Sequence, residues 1–445
     1  MKRFRSFLSR KTSQSADQGA QQANAGPPPA EPHPQAPPPE AQPSSDGDFS
    51  VQATSNTLNI ALVNQFPAGS TVYAVVSGRA ISNNNALVLL RSDGRTPYYP
   101  ASPSQPGSAV NPNDVAIRLG ATGSTTNLTI PYIAGGRIYL SLNEPLKFFI
   151  NPGPALVEPA VANPSDPNIA INWGFCEFTF NQDQLYANIS YVDFVSSIPI
   201  ALALSTVSSN PPPAVGGLKP GGLNGIAEAL RAQRQADGQG WDQLIVPGPN
   251  NSALRVLSPN IARVTNNSLF NGYFEPYVSQ VWSHYSGSSV LRIDTQAQWG
   301  VVTADIANDA LAVSEGSNGG SQKPIGGGSG TTFTRPSTAD IFSCSTGPFA
   351  TGSNALTNTV IPRLAAAFNR STLLKTDQLP APQSTYYQEA VTNHYSRVVH
   401  EWNYDGRGYA FPYDDVQPSG GGLEQSGEVH AGDPKIWTVT VGGGS

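Results

Sequence analysis

Between positions 57 and 66 the chain reads TLNIALVNQF, with Leu58, Ile60 and Leu62 alternating against Thr57, Asn59 and Ala61. A period of two is the signature of a half-buried strand, because successive side chains leave opposite faces. The same pattern marks TVYAVVSGRA, reached across a Pro-Ala-Gly-Ser turn at 67–70, and predicts that the two strands form a hairpin. ALVLLRSDG, NLTIPYI and, after Gly135 and Gly136, RIYLSLN are further strands, and PLKFFINPGPALVEP runs from a strand into a proline-rich loop. No long helix is expected before Thr206.

The pattern changes after SSNPPPAVGGLKPGG at 208–222, which reads as a boundary. Leu223, Ile226, Ala227 and Leu230 then recur at i, i+3, i+4 and i+7, the stripe of an amphipathic helix. EPYVSQVWSHYS and NTVIPRLAAAFNRSTLL are further helices, the second expected to start after Pro362, while SVLRIDT and WGVVTADI read as strands. The glycine-rich EGSNGGSQKPIGGGSG lacks the GxxxxGK[ST] spacing of a phosphate cradle. GYAFPYDDV and KIWTVTV are β-like again. Strands at both ends around an α/β segment predict one β domain, 51–210 with 386–445, whose ends pair, and a mixed α/β domain over 215–385. Residues 1–50, with GPPPAEPHPQAPPPEAQP at their centre, lack the apolar side chains to offset the entropy of ordering and read as a disordered leader.

Composition narrows the ligand. Charged residues are 13% of the 445 and the net charge is −6, against a basic nucleic-acid surface and in favour of a neutral, polar partner. Two cysteines, Cys176 and Cys344, cannot make a cysteine zinc site, and the five histidines show no paired-ligand spacing, so neither metal nor cofactor is implied. The two thiols could form one disulfide or stay reduced and buried. The basic start MKRFRSFLSRKTSQ has no apolar core of signal-peptide length, and nothing approaches a membrane span. Sequons at Asn127 and Asn188 point the other way, towards secretion, and leave localisation open.

The candidate chemistry lies in two carboxylates. Period two in NWGFCEFTFN puts Trp173, Phe175, Glu177, Thr179 and Asn181 on one face and Cys176, Phe178 and Phe180 on the other. An acid, a hydroxyl and an amide in a row suit a strand lining a polar cleft, and equally the solvated face of an ordinary antiparallel sheet. In LYANISYVDFV, Ile189, Tyr191 and Asp193 share a face, and Asp193 reads as readily as a strand-end acceptor. HEWNYDGRGYAFPYDDV gathers His400, Glu401, Asp405, Asp414 and Asp415 among aromatics, as sugar-binding surfaces do, although the Asp414–Asp415 pair suits a tight turn. Glu158, before a proline, reads as structural, and no GxSxG elbow supports a serine triad.

These stretches carry a resemblance. FFINPGPALVEP, WGFCEFTFN, LYANISYVDFV and GYAFPYDDV resemble glycoside hydrolase family 64, endo-β-1,3-glucanases that include laminaripentaose-producing enzymes, from about residue 55 onwards. NISYVDFVSSIPIALALST and YAFPYDD resemble thaumatin-like proteins. The resemblance implies a mainly β, thaumatin-like sandwich or barrel carrying a mixed α/β domain, with a wide cleft for an extended glucan. It implies a monomer that acts on β-1,3-glucan without a cofactor, outside the cell or in a cell wall. Glu177 would be the general acid and Asp193 the general base of an inverting hydrolysis. Thr179 and Asn181 would hold sugar hydroxyls, and Tyr186 stands where the family commonly has a tryptophan, with Trp173 and Tyr191 as further sugar contacts. Glu177, between Phe175 and Phe178, is expected to have the raised pKa and Asp193 to stay ionised. The rival is a non-catalytic glucan-binding protein of the same fold.

One calculation resists. In a plain hairpin with its turn at Gln182 and Asp183, Glu177 faces about Asn188. Asp193 lies some five residues beyond, which at about 3.4 Å per residue separates the carboxyls by well over 10 Å. A bulge, a bend or other pairing must bring them together.

Overall fold

A computed structural model describes residues 56–208, 211–248, 252–314 and 331–443. The expected leader over 1–50 and the glycine-rich loop at 315–330 lie outside the described residues. The described chain is mainly β. Two sheets face each other: a five-stranded one and an eight-stranded one. The five-stranded sheet runs in the order Ala214–Val215, Ile200–Thr206, Pro434–Val441, Thr57–Asn64, Thr125–Pro131. At the centre of the larger sheet lie Leu185–Ile189, Trp173–Phe180, Ile133–Leu142 and Val72–Ala80, with Glu428–Ala431 at one edge. Their inner faces meet where Phe178 and Trp437 rings stack with centroids 5.2 Å apart.

The expected pairing of the chain ends is present: Thr57–Asn64 runs parallel to Pro434–Val441, with Ile60 opposite Trp437. The expected hairpin at 67–70 is not. Thr57–Asn64 pairs with Pro434–Val441 and Thr125–Pro131, whereas Val72–Ala80 enters the other sheet against Ile133–Leu142 and Ala86–Leu90. The Asn64 side chain and the Gln65 amide tie the crossing segment to Gly120 and Val441, so the turn hands the chain between sheets. Both strands still bury their apolar face between the layers, which a period-two pattern demands of either topology.

Beyond 215, the helix Gly222–Asp237 buries Leu223, Ile226, Ala227 and Leu230, the stripe predicted for it, and stops where Gly238 takes φ +75°. Leu291–Asp294 and Val301–Ala307 are strands of a second five-stranded sheet. The helix expected to begin after Pro362 spans Ala355–Asn369 with Pro362 inside it, because Asn354 caps it upstream, accepting from the Thr357 amide at 3.0 Å. The stretch 408–416 contains no strand. Tyr413 at φ +70° and the bond from the Ala410 amide to Asp414 fold it into turns, leaving a single bridge, Tyr409 to Ser190. Cys176 and Cys344 are buried and form no disulfide. Asn188 is buried in mid-sheet, which unsuits it as a glycan acceptor. Among the described residues no helix is long and apolar enough to cross a membrane, and no group of three or more His, Cys, Asp or Glu could hold a metal ion.

Candidate active site

The strand Trp173–Phe180 alternates as the sequence requires: Cys176, Phe178 and Phe180 are buried in the sandwich while Glu177 and Thr179 are half-buried on the outer face. Phe178 fits inward because Gly136 opposite it has no side chain; a Cβ there would lie 2.4 Å from the ring. Residues directly opposite one another in an antiparallel sheet share a face. Glu177 pairs with Arg137 on one side and Asn188 on the other, and Asn188 pairs with Glu428, so these four make one polar row across the sheet. The next row holds Thr179, Tyr186 and His430.

Beyond Ile189 the chain arches out of the ladder. As expected, Glu177 faces Asn188, and the ladder runs to Ile189 opposite Cys176. In that register Gly174 would face position 191, but the ladder ends at Ile189, and Ser196 lies beside Gly174, its Oγ 2.8 Å from where a Cβ on Gly174 would sit. The chain has therefore taken up extra residues between 189 and 196. Asp193 lies on this segment, where the charges of Arg137, Glu177 and Glu158 act on it. The arch is pinned along its length. The Tyr191 amide donates to Tyr409 (2.7 Å), the Tyr395 hydroxyl to the Tyr191 carbonyl (2.6 Å), and the Ser258 amide to the Asp193 carbonyl (2.8 Å). Phe194–Ser196 then leaves for a small sheet with Ala253–Leu257.

Arg137 joins the charges. Its Nη2 lies 3.1 Å from Glu177 Oε1 and its Nη1 2.6 Å from Glu158 Oε2, while the guanidinium stacks 5.0 Å from the Phe175 ring centre. The Arg137 side chain is 11% exposed, and the two glutamates 32% and 37%. Asp193 is pushed up to about 6: burial is the main cause, Arg137 opposes it, and Glu177 and Glu158 add to it. The sequence expectation did not include a raised value at Asp193. Of the apolar neighbours of Glu177 in sequence, Phe178 turns into the sandwich and Phe175 underlies the Arg137 guanidinium. The Arg137 guanidinium meets the Glu177 carboxylate, and Asp193 is half-buried on the arch.

Of the other predicted site residues, Thr179 and Tyr186 lie beside Glu177 on the outer face. The Thr179 hydroxyl accepts from Gly135 N–H at 3.3 Å, where a bulge interrupts the ladder. Tyr186 sits against Glu428 and Asp415, and burial with those charges pushes its hydroxyl well above the usual value. Asn181 is used by the turn, its Oδ1 accepting from the Asp183 and Gln184 amides at 2.9 Å each. Trp173 and Tyr191, expected as sugar contacts, are buried. Phe194 from the arch packs on Trp173 with centroids 4.7 Å apart, and Tyr191 fills the space beside Gly408. The outer face is therefore open only from Glu177 onwards. In the aromatic stretch, Asp414 is buried in an ion cluster, Glu401 is engaged by Arg397 at 2.7 Å, and Asp415, half-buried, is pushed up to about 6 by burial and by Glu428.

Sequence reasoning missed Arg137 and set Glu158 aside. The available signal was a lone arginine on the strand next to the glutamate's own.

A family model described as β-1,3-glucanase, glycoside hydrolase family 64, matches residues 56–441. The chain belongs to this family. Glucan endo-1,3-β-glucosidases of Cellulosimicrobium cellulans and of Arthrobacter sp. (strain YCWD3) are each 28% identical to it over 70% of its length, and the match covers 52% of either relative. The chain thus spans about half the length of the curated relatives it matches. Among solved structures, a laminaripentaose-producing β-1,3-glucanase in complex with laminaritetraose superposes with a TM-score of 0.75 at 29% identity, covering 87% of this chain and 98% of the other. A family 64 β-1,3-glucanase domain from Clostridium beijerinckii shares the fold, with a TM-score of 0.64 at 20% identity over 87% of this chain and 99% of that one.

Proposed function

We propose that this family 64 chain is an inverting endo-β-1,3-glucanase of thaumatin-like architecture, cutting linear β-1,3-glucan into short oligosaccharides in a cleft on the outer face of the larger sheet. The β domain would be 51–210 with 386–445, and the α/β segment 215–385 would form the opposite wall. The observation that supports the reading is that the chain leaves the ladder after Ile189 and carries, at Asp193, a carboxyl on which the charges of Arg137, Glu177 and Glu158 act. Inversion needs one carboxyl to protonate the leaving oxygen and another to take a proton from water on the opposite face. Glu177 gives its proton to the glycosidic oxygen as the bond to C1 breaks. Asp193 removes a proton from the water that bonds to C1 from below, and the new anomeric hydroxyl is α. Exchange with solvent returns the proton from Asp193 and restores that on Glu177. Asp193 at about 6 is ionised at neutral pH yet more basic than a free aspartate, which suits a general base.

The test is digestion of linear β-1,3-glucan by the purified protein with the products followed by NMR. Release of α-anomers supports the proposal; β-anomers, or binding without cleavage, overturn it, the latter in favour of a lectin. A pH dependence follows from Asp193. Because the base must be ionised, the acid limb of kcat/KM should have its midpoint near pH 6 and fall tenfold per unit below it. A profile flat down to pH 4 would remove Asp193 from the role.

Tyr186 is proposed as the stacking platform beside Glu177. Tyr186→Ala should raise KM about fivefold, the loss of roughly 1 kcal/mol of ring contact, while Tyr186→Phe keeps it within about twofold. Equal losses in both variants would assign the binding to the hydroxyl and its acidic neighbours instead.

A further inference from the structure

A general acid that holds a salt bridge to an arginine poses a difficulty, because a full positive charge beside a carboxyl favours its ionised form. The arginine here is shared. Arg137 lies between two carboxylates, with Nη2 towards Glu177 (3.1 Å) and Nη1 towards Glu158 (2.6 Å), and the shorter contact is to Glu158. Nothing in the hydrolytic chemistry itself requires Glu158. We propose that Glu158 and Arg137 are positioning residues: Glu158 draws the guanidinium off Glu177, so that Arg137 fixes the direction of the Glu177 carboxyl without holding it ionised. This rests on the reading of Glu177 and Asp193 as the acid and base.

The arrangement has a second consequence, at Asp193. The groups that face the arch are Arg137 and Tyr139 from one strand, Glu177 from the next, Glu158, Tyr395 from the helix His394–Glu401, and Arg255 from Ala253–Leu257, whose guanidinium lies 5.7 Å from the Phe194 ring centre. Among them, Arg137 favours the ionised aspartate and Glu158 opposes it. Removing one or the other must then move the base in opposite directions.

The experiment is the pH dependence of kcat/KM on linear β-1,3-glucan for Glu158→Gln, Arg137→Gln and Arg137→Lys, beside Glu177→Gln and Asp193→Asn. Glu158→Gln is isosteric and half-exposed, so it carries the test even if the buried Arg137 variants fold poorly. With Glu158 neutral, the acid limb should move to lower pH while kcat at neutral pH falls by roughly tenfold, because Arg137 then holds Glu177 alone. Glu158→Asp, which restores the charge, should recover most of that loss. Arg137→Gln should move the same limb to higher pH, and Arg137→Lys should leave it near the wild type. A merely structural role would lower activity in these variants without moving the limb in opposite senses. If the limb stays in place for Glu158→Gln and neutral-pH kcat is unchanged, while Glu177→Gln and Asp193→Asn are inactive, the sharing of Arg137 is overturned and the acid/base pair stands. If Glu177→Gln or Asp193→Asn remains active, the pair itself falls and the inference falls with it.

Discussion

Glu177→Gln and Asp193→Asn should each lower turnover of β-1,3-glucan by about a thousandfold or more while leaving the thermal midpoint within a few degrees of wild type. General acid and general base contributions are each of the order of 10²–10⁴. Both substitutions keep the shape of the side chain and remove only the proton chemistry. Stability should change little because Glu177 is half-exposed and its partner Arg137 keeps Glu158 at 2.6 Å. Asp193 is held in place through its backbone carbonyl, which the Ser258 amide bonds whatever the side chain. The two variants should then differ in how they are rescued. A substrate with a good leaving group, such as an aryl β-laminarioside, no longer needs protonation at the glycosidic oxygen, so it should restore Glu177→Gln and not Asp193→Asn. Azide needs no base and can enter from the water's side, so it should restore Asp193→Asn and give the α-glycosyl azide. The raised proton affinity of Asp193 makes the exchange of roles a definite alternative, and it predicts the opposite rescue pattern. Rescue of the aspartate variant by the leaving group would therefore assign the acid to Asp193 and sink the assignment made here.

Much of this site is legible from alternation alone, and the parts that are not have a common cause. Period two separates Glu177 and Thr179 from Cys176 and Phe178 correctly, since a one-residue slip would expose the whole inner face. It cannot say where along a strand an outer face stops being core. Trp173 and Phe175 share the face of Glu177 yet are covered by Phe194, a residue some twenty positions away. The hairpin expected at 67–70 fails likewise. Turn residues establish that the chain reverses, but a sandwich offers two sheets to return to, and the choice is made by partners as distant as Pro434–Val441. Asp193 was the clearest case. Spacing excludes a plain hairpin, and the arch the chain makes there depends on space left by Gly174 and on anchors from Tyr409, Tyr395 and Ser258, none of them near in sequence. Arg137 was overlooked because its meaning comes from the strand beside it. By contrast the stripe of Gly222–Asp237 and the pairing of the chain ends depend on local pattern and on one topological rule, and both were readable.

Asp414→Asn should destabilise the fold by about 3–5 kcal/mol, read as a lowered urea midpoint, although Asp414 touches neither proposed catalytic group. Its carboxylate is fully buried, with Oδ1 2.9 Å from Arg370 and Oδ2 3.0 Å from His400 and from the Ala410 amide. Burial alone would raise this carboxyl, but His400 and Arg370 outweigh it and hold it below the usual range. Its contribution to stability is therefore complete above the ordinary carboxylate range and lost only as pH falls below it. Asparagine keeps the shape but leaves the buried Arg370 guanidinium without its counter-charge, which is the costly half of a broken pair. Replacing both residues, as Arg370→Met with Asp414→Leu, should recover a large part of the loss, whereas additive losses would assign the effect to packing. The damage should also reach the site. Asp414 folds the turn that carries Tyr409, and the Tyr409 carbonyl receives the Tyr191 amide that pins the arch at 2.7 Å. Where Asp414→Asn still folds, at low temperature or with stabilising salt, kcat should fall more than KM rises, because a displaced Asp193 weakens the attack on C1 before it weakens the grip on the glucan. Unchanged kcat in the folded variant would show that the arch is held by Tyr395 and Ser258 alone.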